Sequence, residues 1–279
     1  MSKLRDFALR RLQRDMAQKE RTDLSGAAIV FAPHPDDETL GCGGTIIRKR
    51  QLGASVKLVF LTDGTGSHRK FMSASELGAI RRREAIAAAS ALGVSEQDVT
   101  FLGFEDGQLR ARFEQMRDRL FNIISEQQPD EIYVTYSQEP HSDHSALYYA
   151  AAIACTQLMS SAPVLFAYPV WYWRQWPWTQ LKGDSKTETL RIVRATLDSS
   201  LGARAFGAFQ HSVRVEDVLP QKRNALSCHQ SQMERFGERE DWPVLSDVSG
   251  GDFLDCLFQP YEVFYSPTTL YQQDAGRAD

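Results

Sequence analysis

The chain alternates short apolar runs with longer segments that have a helical or Ala-rich pattern. Five runs rich in Val, Ile, Phe and Leu have the length of buried strands. They are 27–32, 55–62, 99–104, 132–136 and 164–168. The segments predicted as helices between them are 39–51, 76–92, a third around 113–124, and 145–158. Strict alternation of this kind predicts an α/β fold, with a mostly parallel sheet covered by helices on both faces.

The common strand order for such a Rossmann-like sheet is 3-2-1-4-5, which makes strands 1 and 4 neighbours. The topology reverses between these two strands, and a crevice opens at their carboxyl ends. Residues that follow 27–32 are therefore expected to meet residues that follow 132–136. We predict one domain over 23–279, with a C-terminal part that extends beyond the sheet.

The first part of the chain, 1–22, is predicted to be an amphipathic helical extension. Leu4, Ala8, Leu12 and Met16 recur at helical spacing, and basic side chains occupy much of the remaining surface. A basic amphipathic helix can lie on an anionic membrane surface. It can equally dock on its own domain or on a second copy of the chain, and the pattern leaves these alternatives open.

Composition narrows the range of partners and compartments. A net charge of −4 and a pI near 5.9 give no basic field for nucleic acid. The four cysteines lie far apart with no CxxC spacing, which favours ordinary thiols in a reducing, cytoplasmic compartment. No apolar run is long enough to span a bilayer, and no signal-peptide core follows the charged start.

Two polar clusters follow strands 1 and 4 of the predicted sheet. The first is the HPDDE sequence at 34–38, and the second is HSDH at 141–144. Imidazole and carboxylate are ligands of catalytic Zn²⁺, which takes three protein ligands and leaves one position for water. Taken singly, the histidines fit a core or a loop, and Asp36 and Asp37 fit the start of a helix. Their joint placement after neighbouring strands predicts a single metal site.

These clusters resemble the motifs of the LmbE-like, or PIG-L, family of metal-dependent N-deacetylases. The family's A-x-H-P-D-D-E signature stands at 32–38, and its second motif stands at 141–144. Further family-like pieces follow in order, at 62–64, 81–93, 101–107 and 222–232. The resemblance implies a zinc-dependent hydrolase that removes an N-acetyl group from an N-acetylglucosamine-type sugar or glycoconjugate and releases acetate.

The resemblance also implies roles for individual residues. His34, Asp37 and His144 match the ligands of one Zn²⁺ per chain, and other divalent metals stay open as alternatives. Asp36 matches the general base, and His141 matches the residue that stabilises the oxyanion. These roles agree with the chemistry, because a carboxylate beside a ligand carboxylate can take a proton from the attacking water.

Three further residues complete the predicted site. We expect the carboxylate of Asp143 to orient His141 and to keep it protonated. The family pattern places Arg81 at the edge of the pocket, where it either binds sugar hydroxyls or an anionic group, or pairs with Glu84 on a helix surface. His229 lies in a family-like stretch and either contacts the substrate or serves packing.

Other features leave the substrate open. His68 lies outside any motif and is expected at the surface. The aromatic cluster at 171–178 could bind a sugar, a subunit or a membrane. Some members of the family act on thiol precursors. Because this chain has Glu139 and Pro140 before the second motif, their substrate is not assigned to it. The expected partner is a small-molecule or lipid-linked N-acetylated sugar.

Alternative functions use the same residues. An amidase of the same family would act on another amide, and a substrate panel would separate it from a sugar deacetylase. A metal-dependent phosphohydrolase would bind two metal ions about 4 Å apart, whereas a deacetylase would bind one, so the number of metal ions per chain separates the two. A dinucleotide-binding protein is disfavoured, because the sequence GCGG at 41–44 does not match G-x-G-x-x-G.

Overall fold

A parallel sheet lies at the centre of the computed structural model, which describes residues 2–183, 185–236 and 239–267. Its strands lie close to the predicted apolar runs. They are β1 (Ala28–Ala32), β2 (Val56–Thr62), β3 (Val99–Phe104), β4 (Glu131–Thr135) and β5 (Val164–Tyr168). Their order is β3-β2-β1-β4-β5, and every neighbouring pair is parallel. The predicted fold class and strand order are confirmed, and β1 lies beside β4.

Helices connect the strands and surround the sheet. In chain order they are α1 (Ser2–Ala17), α2 (Asp37–Gln51), α3 (Ala74–Ala91), α4 (Phe113–Gln127), α5 (Ser142–Gln157), α6 (Lys186–Asp198), α7 (Arg204–Ala208), α8 (Leu219–Ser227), α9 (Gln230–Met233) and α10 (Asp252–Leu257). Helices α2 and α5 begin a few residues earlier than predicted, at Asp37 and Ser142. Both polar clusters therefore run directly from a strand end into the first turn of a helix.

The C-terminal part of the chain holds α2 in place. It contains a two-stranded antiparallel sheet of β6 (His211–Arg214) and β7 (Tyr261–Phe264). The buried carboxylate of Glu262 in β7 accepts hydrogen bonds from the backbone N–H groups of Gly44 and Thr45, both at 2.7 Å. Lys222 in α8 donates to the same carboxylate at 2.8 Å. Because α2 starts at the first polar cluster, this contact helps to fix the position of that cluster.

Helix α1 packs on its own domain. Leu12 and Met16 are 1% and 0% exposed, and the helix contacts both β6 and β7. Leu4 and Phe7 remain exposed on the same helix. Among the alternatives that the sequence left open, the structure selects docking on the domain, and a membrane contact through α1 gains no support. None of the described helices combines the length and the apolarity needed to cross a membrane.

Shortening a side chain on the buried face of α1 should measure how much this docking contributes to stability. We expect Leu12→Ala to lower the free energy of unfolding by about 2–5 kcal/mol, because it removes buried methyl groups from a packed interface. Leu4→Ala is the matched control, since Leu4 is 47% exposed, and its effect should stay within about 0.5 kcal/mol. Urea denaturation measures both values, and equally small losses would contradict the docking of α1.

Candidate metal centre

The first polar cluster occupies a strained turn between β1 and α2. Asp36 has a φ of 120°, which residues other than glycine rarely adopt. Its backbone N–H donates to Oε2 of the buried Glu38 at 3.0 Å. With this turn, the adjacent residues Asp36 and Asp37 both line the same cleft. Backbone strain of this kind is typical of functional sites.

Three ligand-type side chains converge between the ends of β1 and β4. Oδ2 of Asp37 lies 3.2 Å from Nδ1 of His34 and 3.2 Å from Nε2 of His144. Atoms that bind one tetrahedral Zn²⁺ at about 2.0–2.1 Å lie about 3.3–3.4 Å from one another, so this spacing fits a shared ion. The structure thus brings together the three residues predicted as ligands.

The electrostatics of this group also fit a cation. Burial alone would raise the pKa of Asp37, but His144 and His34 lower it well below its usual range. Burial lowers the pKa of His144, but Asp37 and Glu139 outweigh burial and raise it to about 9. The buried carboxylates thus favour positive charge at this point, which a divalent ion can provide once the imidazoles are deprotonated. The donor set therefore fits a metal ion.

Asp36 lies next to this group and pairs with Arg81. Arg81, on α3, is 3% exposed and donates to Oδ2 of Asp36 at 3.1 Å, and it also donates to two backbone carbonyls. Burial raises the pKa of Asp36 to about 6, although Arg81 opposes this rise. The predicted alternative of an Arg81–Glu84 ion pair is wrong, because Glu84 accepts hydrogen bonds from Ser231 instead. Arg81 lines the cleft, so its contact with a substrate stays a prediction.

The structure changes the relation between Asp143 and His141. The Asp143 carboxylate accepts hydrogen bonds from two backbone N–H groups of the loop after β3, at 2.8 and 3.2 Å, and lies 3.6 Å from Nε2 of His34. It is the backbone N–H of Asp143 that donates to Nδ1 of His141, at 3.3 Å. The prediction that this carboxylate orients His141 is therefore wrong, because its oxygens are used elsewhere.

The metal-free structure does not favour the charge predicted for His141. Burial, followed by the nearby His144 and His34, lowers the pKa of His141 to about 4, and the smaller effect of Asp143 does not reverse this. Both burial and these neighbours favour the neutral imidazole in the metal-free protein. Because its Nδ1 accepts a hydrogen bond, Nε2 carries the ring proton and is a donor.

His229 lies behind the cleft. It is 0% exposed, and its Nε2 is 3.4 Å from Oε1 of Glu38. It is absent from the cleft lining in the part of the chain that the structure describes. Its position beside Glu38 favours a packing role, and a contact of His229 with the substrate stays an untested prediction.

An open cleft of about 680 Å³ leads to the ligand group. His68 forms one side of it, where it is 2% exposed and stacks on Trp242 with ring centroids 4.2 Å apart. The prediction of a surface position for His68 is therefore wrong. Trp171 lines another side and stacks on Phe253 at 4.7 Å, and Leu245 adds an apolar contact surface from the C-terminal part.

Most of the aromatic cluster at 171–178 belongs to the hydrophobic core. Tyr172, Trp173 and Trp178 are at most 4% exposed and pack against one another and against neighbouring apolar side chains. Within the cluster, Trp171 is the residue that lines the cleft leading to the ligand group. The structure therefore assigns most of this cluster to packing.

The fold and the ligand group together place a candidate metal-dependent site at the switch point of a parallel α/β sheet. Residues 29–155 match the family model described as "PIG-L: GlcNAc-PI de-N-acetylase". The probable N-acetyl-alpha-D-glucosaminyl L-malate deacetylase 2 of Bacillus cereus is 30% identical over 219 residues, which cover 75% of this chain and 95% of that relative. The chain therefore belongs to the PIG-L, or LmbE-like, family of deacetylases.

Two further proteins are similar to this chain. The uncharacterized deacetylase YaiS of Escherichia coli (strain K12) is 28% identical over 132 residues, which cover 46% of this chain and 66% of that relative. The solved structure of N,N'-diacetylchitobiose deacetylase from Pyrococcus horikoshii shares the fold, with a TM-score of 0.61 and 21% identity over 96% of this chain and 92% of that one. Family membership makes the protein an amide hydrolase rather than a phosphohydrolase or a dinucleotide-binding protein.

Proposed function

We propose that the protein is a zinc-dependent hydrolase that removes the N-acetyl group from an N-acetylglucosamine-type sugar or glycoconjugate. The convergence of His34, Asp37 and His144 beside Asp36, at the end of an open cleft, is the observation that supports this proposal most strongly. The Bacillus cereus relative, whose name gives an N-acetylglucosaminyl substrate, supports the choice of a sugar.

His34, Asp37 and His144 are the residues that would hold one metal ion per chain. When bound, a Zn²⁺ ion polarises a carbonyl group and lowers the pKa of a bound water to about 7. Nitrogen and carboxylate donors also accept other divalent metals, and two histidines with one carboxylate are a common donor set of catalytic zinc. Three protein ligands leave room for water and substrate.

Asp36 is the proposed general base. The hydrogen bond from Arg81 occupies its Oδ2, which leaves Oδ1 to accept the proton of the attacking water. Water adds to the acetamide carbonyl carbon, and the C–N bond then breaks as Asp36 returns the proton to the leaving amine. The products are acetate and a free amino sugar. In this scheme Arg81 positions Asp36, and its buried guanidinium opposes the rise in the pKa of this carboxyl that burial causes.

His141 is the proposed donor to the oxyanion. The backbone N–H of Asp143 occupies Nδ1, so the Nε2–H group of a neutral imidazole can donate a hydrogen bond to the negatively charged oxygen. A positioned donor of this kind stabilises the transition state. His141 also lines the cleft, where a substrate carbonyl group would lie.

Acetate release from a substrate panel tests the proposed reaction. The panel contains N-acetylated monosaccharides, nucleotide sugars, lipid-linked glycosides and thiol-linked glycosides, each incubated with zinc-loaded protein. We expect acetate from at least one N-acetylglucosamine derivative. Acetate from non-sugar amides alone would favour an amidase, and no hydrolysis of any amide would contradict the proposal.

A further inference from the structure

Glu139 is a buried carboxylate between the second polar cluster and the loop after β5. Its Oε1 accepts hydrogen bonds from the backbone N–H groups of Val170 at 2.8 Å and Tyr172 at 3.1 Å. Its Oε2 accepts from the N–H of Trp171 at 2.7 Å. The side chain is 0% exposed. Three backbone donors thus compensate the cost of burying this negative charge.

The same carboxylate reaches a proposed metal ligand. Oε2 of Glu139 lies 3.3 Å from Nδ1 of His144, whose opposite nitrogen, Nε2, lies 3.2 Å from Asp37. A carboxylate beside one ring nitrogen keeps the proton there and leaves the lone pair of the other nitrogen for a metal. His34 has the reverse orientation, with Nδ1 toward Asp37 and Nε2 3.1 Å from Asp106.

We propose that Glu139 is a positioning residue for His144 and ties this ligand to the loop that carries Trp171. This inference rests on the proposed metal site. One carboxylate lies 3.3 Å from Nδ1 of His144 and accepts hydrogen bonds from three successive backbone amides, so it connects the ligand with one side of the cleft. Glutamine cannot replace it, because it has a single acceptor oxygen and adds an NH₂ group that faces other donors.

The affinity of the protein for Zn²⁺ is the readout that separates positioning from simple loop support. Competition with a chromophoric chelator gives the dissociation constant of zinc for the wild type and for Glu139→Gln. We expect the variant to bind zinc about 10–100-fold more weakly, which is the usual effect of removing the hydrogen-bond partner of a metal-bound histidine. Thermal unfolding of the metal-free proteins, measured alongside, gives the effect on stability.

Glu131→Gln is the matched control. Glu131 is also buried, at the opposite end of the sheet, where it lies 2.8 Å from Nζ of Lys49 and also pairs with Arg21. This variant should lose stability and keep the zinc affinity of the wild type. Unchanged zinc affinity in Glu139→Gln, beside a wild type that binds zinc, would overturn this inference alone. A wild type that binds no zinc would overturn the proposed function as well.

A second measurement uses the wild-type protein and does not depend on the folding of a variant. Long-range ¹H–¹⁵N spectra of the zinc-loaded protein report which ring nitrogen of each histidine is protonated. We expect His144 to carry its proton on Nδ1 and to bind zinc through Nε2, and its signals are assigned by their absence in His144→Gln. A proton on Nε2 of His144 would overturn the positioning role of Glu139.

Discussion

Asp36→Asn is expected to lower kcat for acetate release by about 100-fold or more, with the zinc content of the wild type retained. The amide keeps the shape of the side chain and still offers an oxygen to Arg81, but it cannot take a proton from water. The change therefore removes the base while the proposed ligands stay in place. Steady-state kinetics and elemental analysis of the same preparation measure the two quantities.

The matched control for this variant is Asp98→Asn. Asp98 pairs with Lys57 at 3.1 Å next to the start of β3, at the end of the sheet opposite the cleft. It should keep wild-type kcat and zinc content. Wild-type turnover in a fully loaded Asp36→Asn protein would show that another group accepts the proton.

His144→Ala should lose most of its zinc while the protein remains folded. The imidazole is one of three proposed ligands, and two ligands hold a catalytic ion far more weakly than three. The sheet and its core do not depend on the ion, unlike a zinc finger, so circular dichroism should stay close to that of the wild type. Some stability will be lost, because His144 is 0% exposed and its removal leaves a cavity.

His211→Ala controls for the loss of a histidine outside the site. His211 lies in β6 and packs edge-on against Phe166, with ring centroids 5.4 Å apart. This variant should retain full zinc. Elemental analysis after gel filtration decides the comparison, and full zinc occupancy in His144→Ala would remove that residue from the ligand set.

The parts of the structure that follow from local pattern could be predicted from the sequence. Apolar runs with helices between them predicted the five strands, and the usual order of such sheets predicted that β1 and β4 are neighbours. The carboxyl ends of parallel strands lie at one edge of the sheet, so His34 and His144 could be expected to meet. A cytoplasmic location and a homo-oligomer are untested and stay predictions.

The parts that depend on contacts between distant segments could not be predicted. Arg81 has Glu84 as a neighbour one turn along its helix, but folding brings it to Asp36 instead. His68 has no motif, and only its stacking on Trp242 makes it part of the cleft. The spacing of Asp143 and His141 suggested a pair, but backbone amides of another loop use the Asp143 carboxylate.

Glu139 gave a weak signal in the sequence. A glutamate in the loop after a strand, two residues before a histidine motif, is more often a surface residue, and its spacing from His144 does not indicate contact. Its role depends on the loop after β5, which provides three backbone donors to its carboxylate. A charged residue in the loop between a predicted strand and a predicted ligand is the pattern that would have suggested it.

Titration of metal-free protein with Zn²⁺, with acetate release measured at each step, tests most directly whether one metal ion at His34, Asp37 and His144 supports amide hydrolysis. Activity should be absent without metal, rise in proportion to added zinc, and reach a plateau at one equivalent per chain. A chelator should then abolish it, and zinc should restore it. Full acetate release from protein that elemental analysis shows to be free of metal would contradict this mechanism.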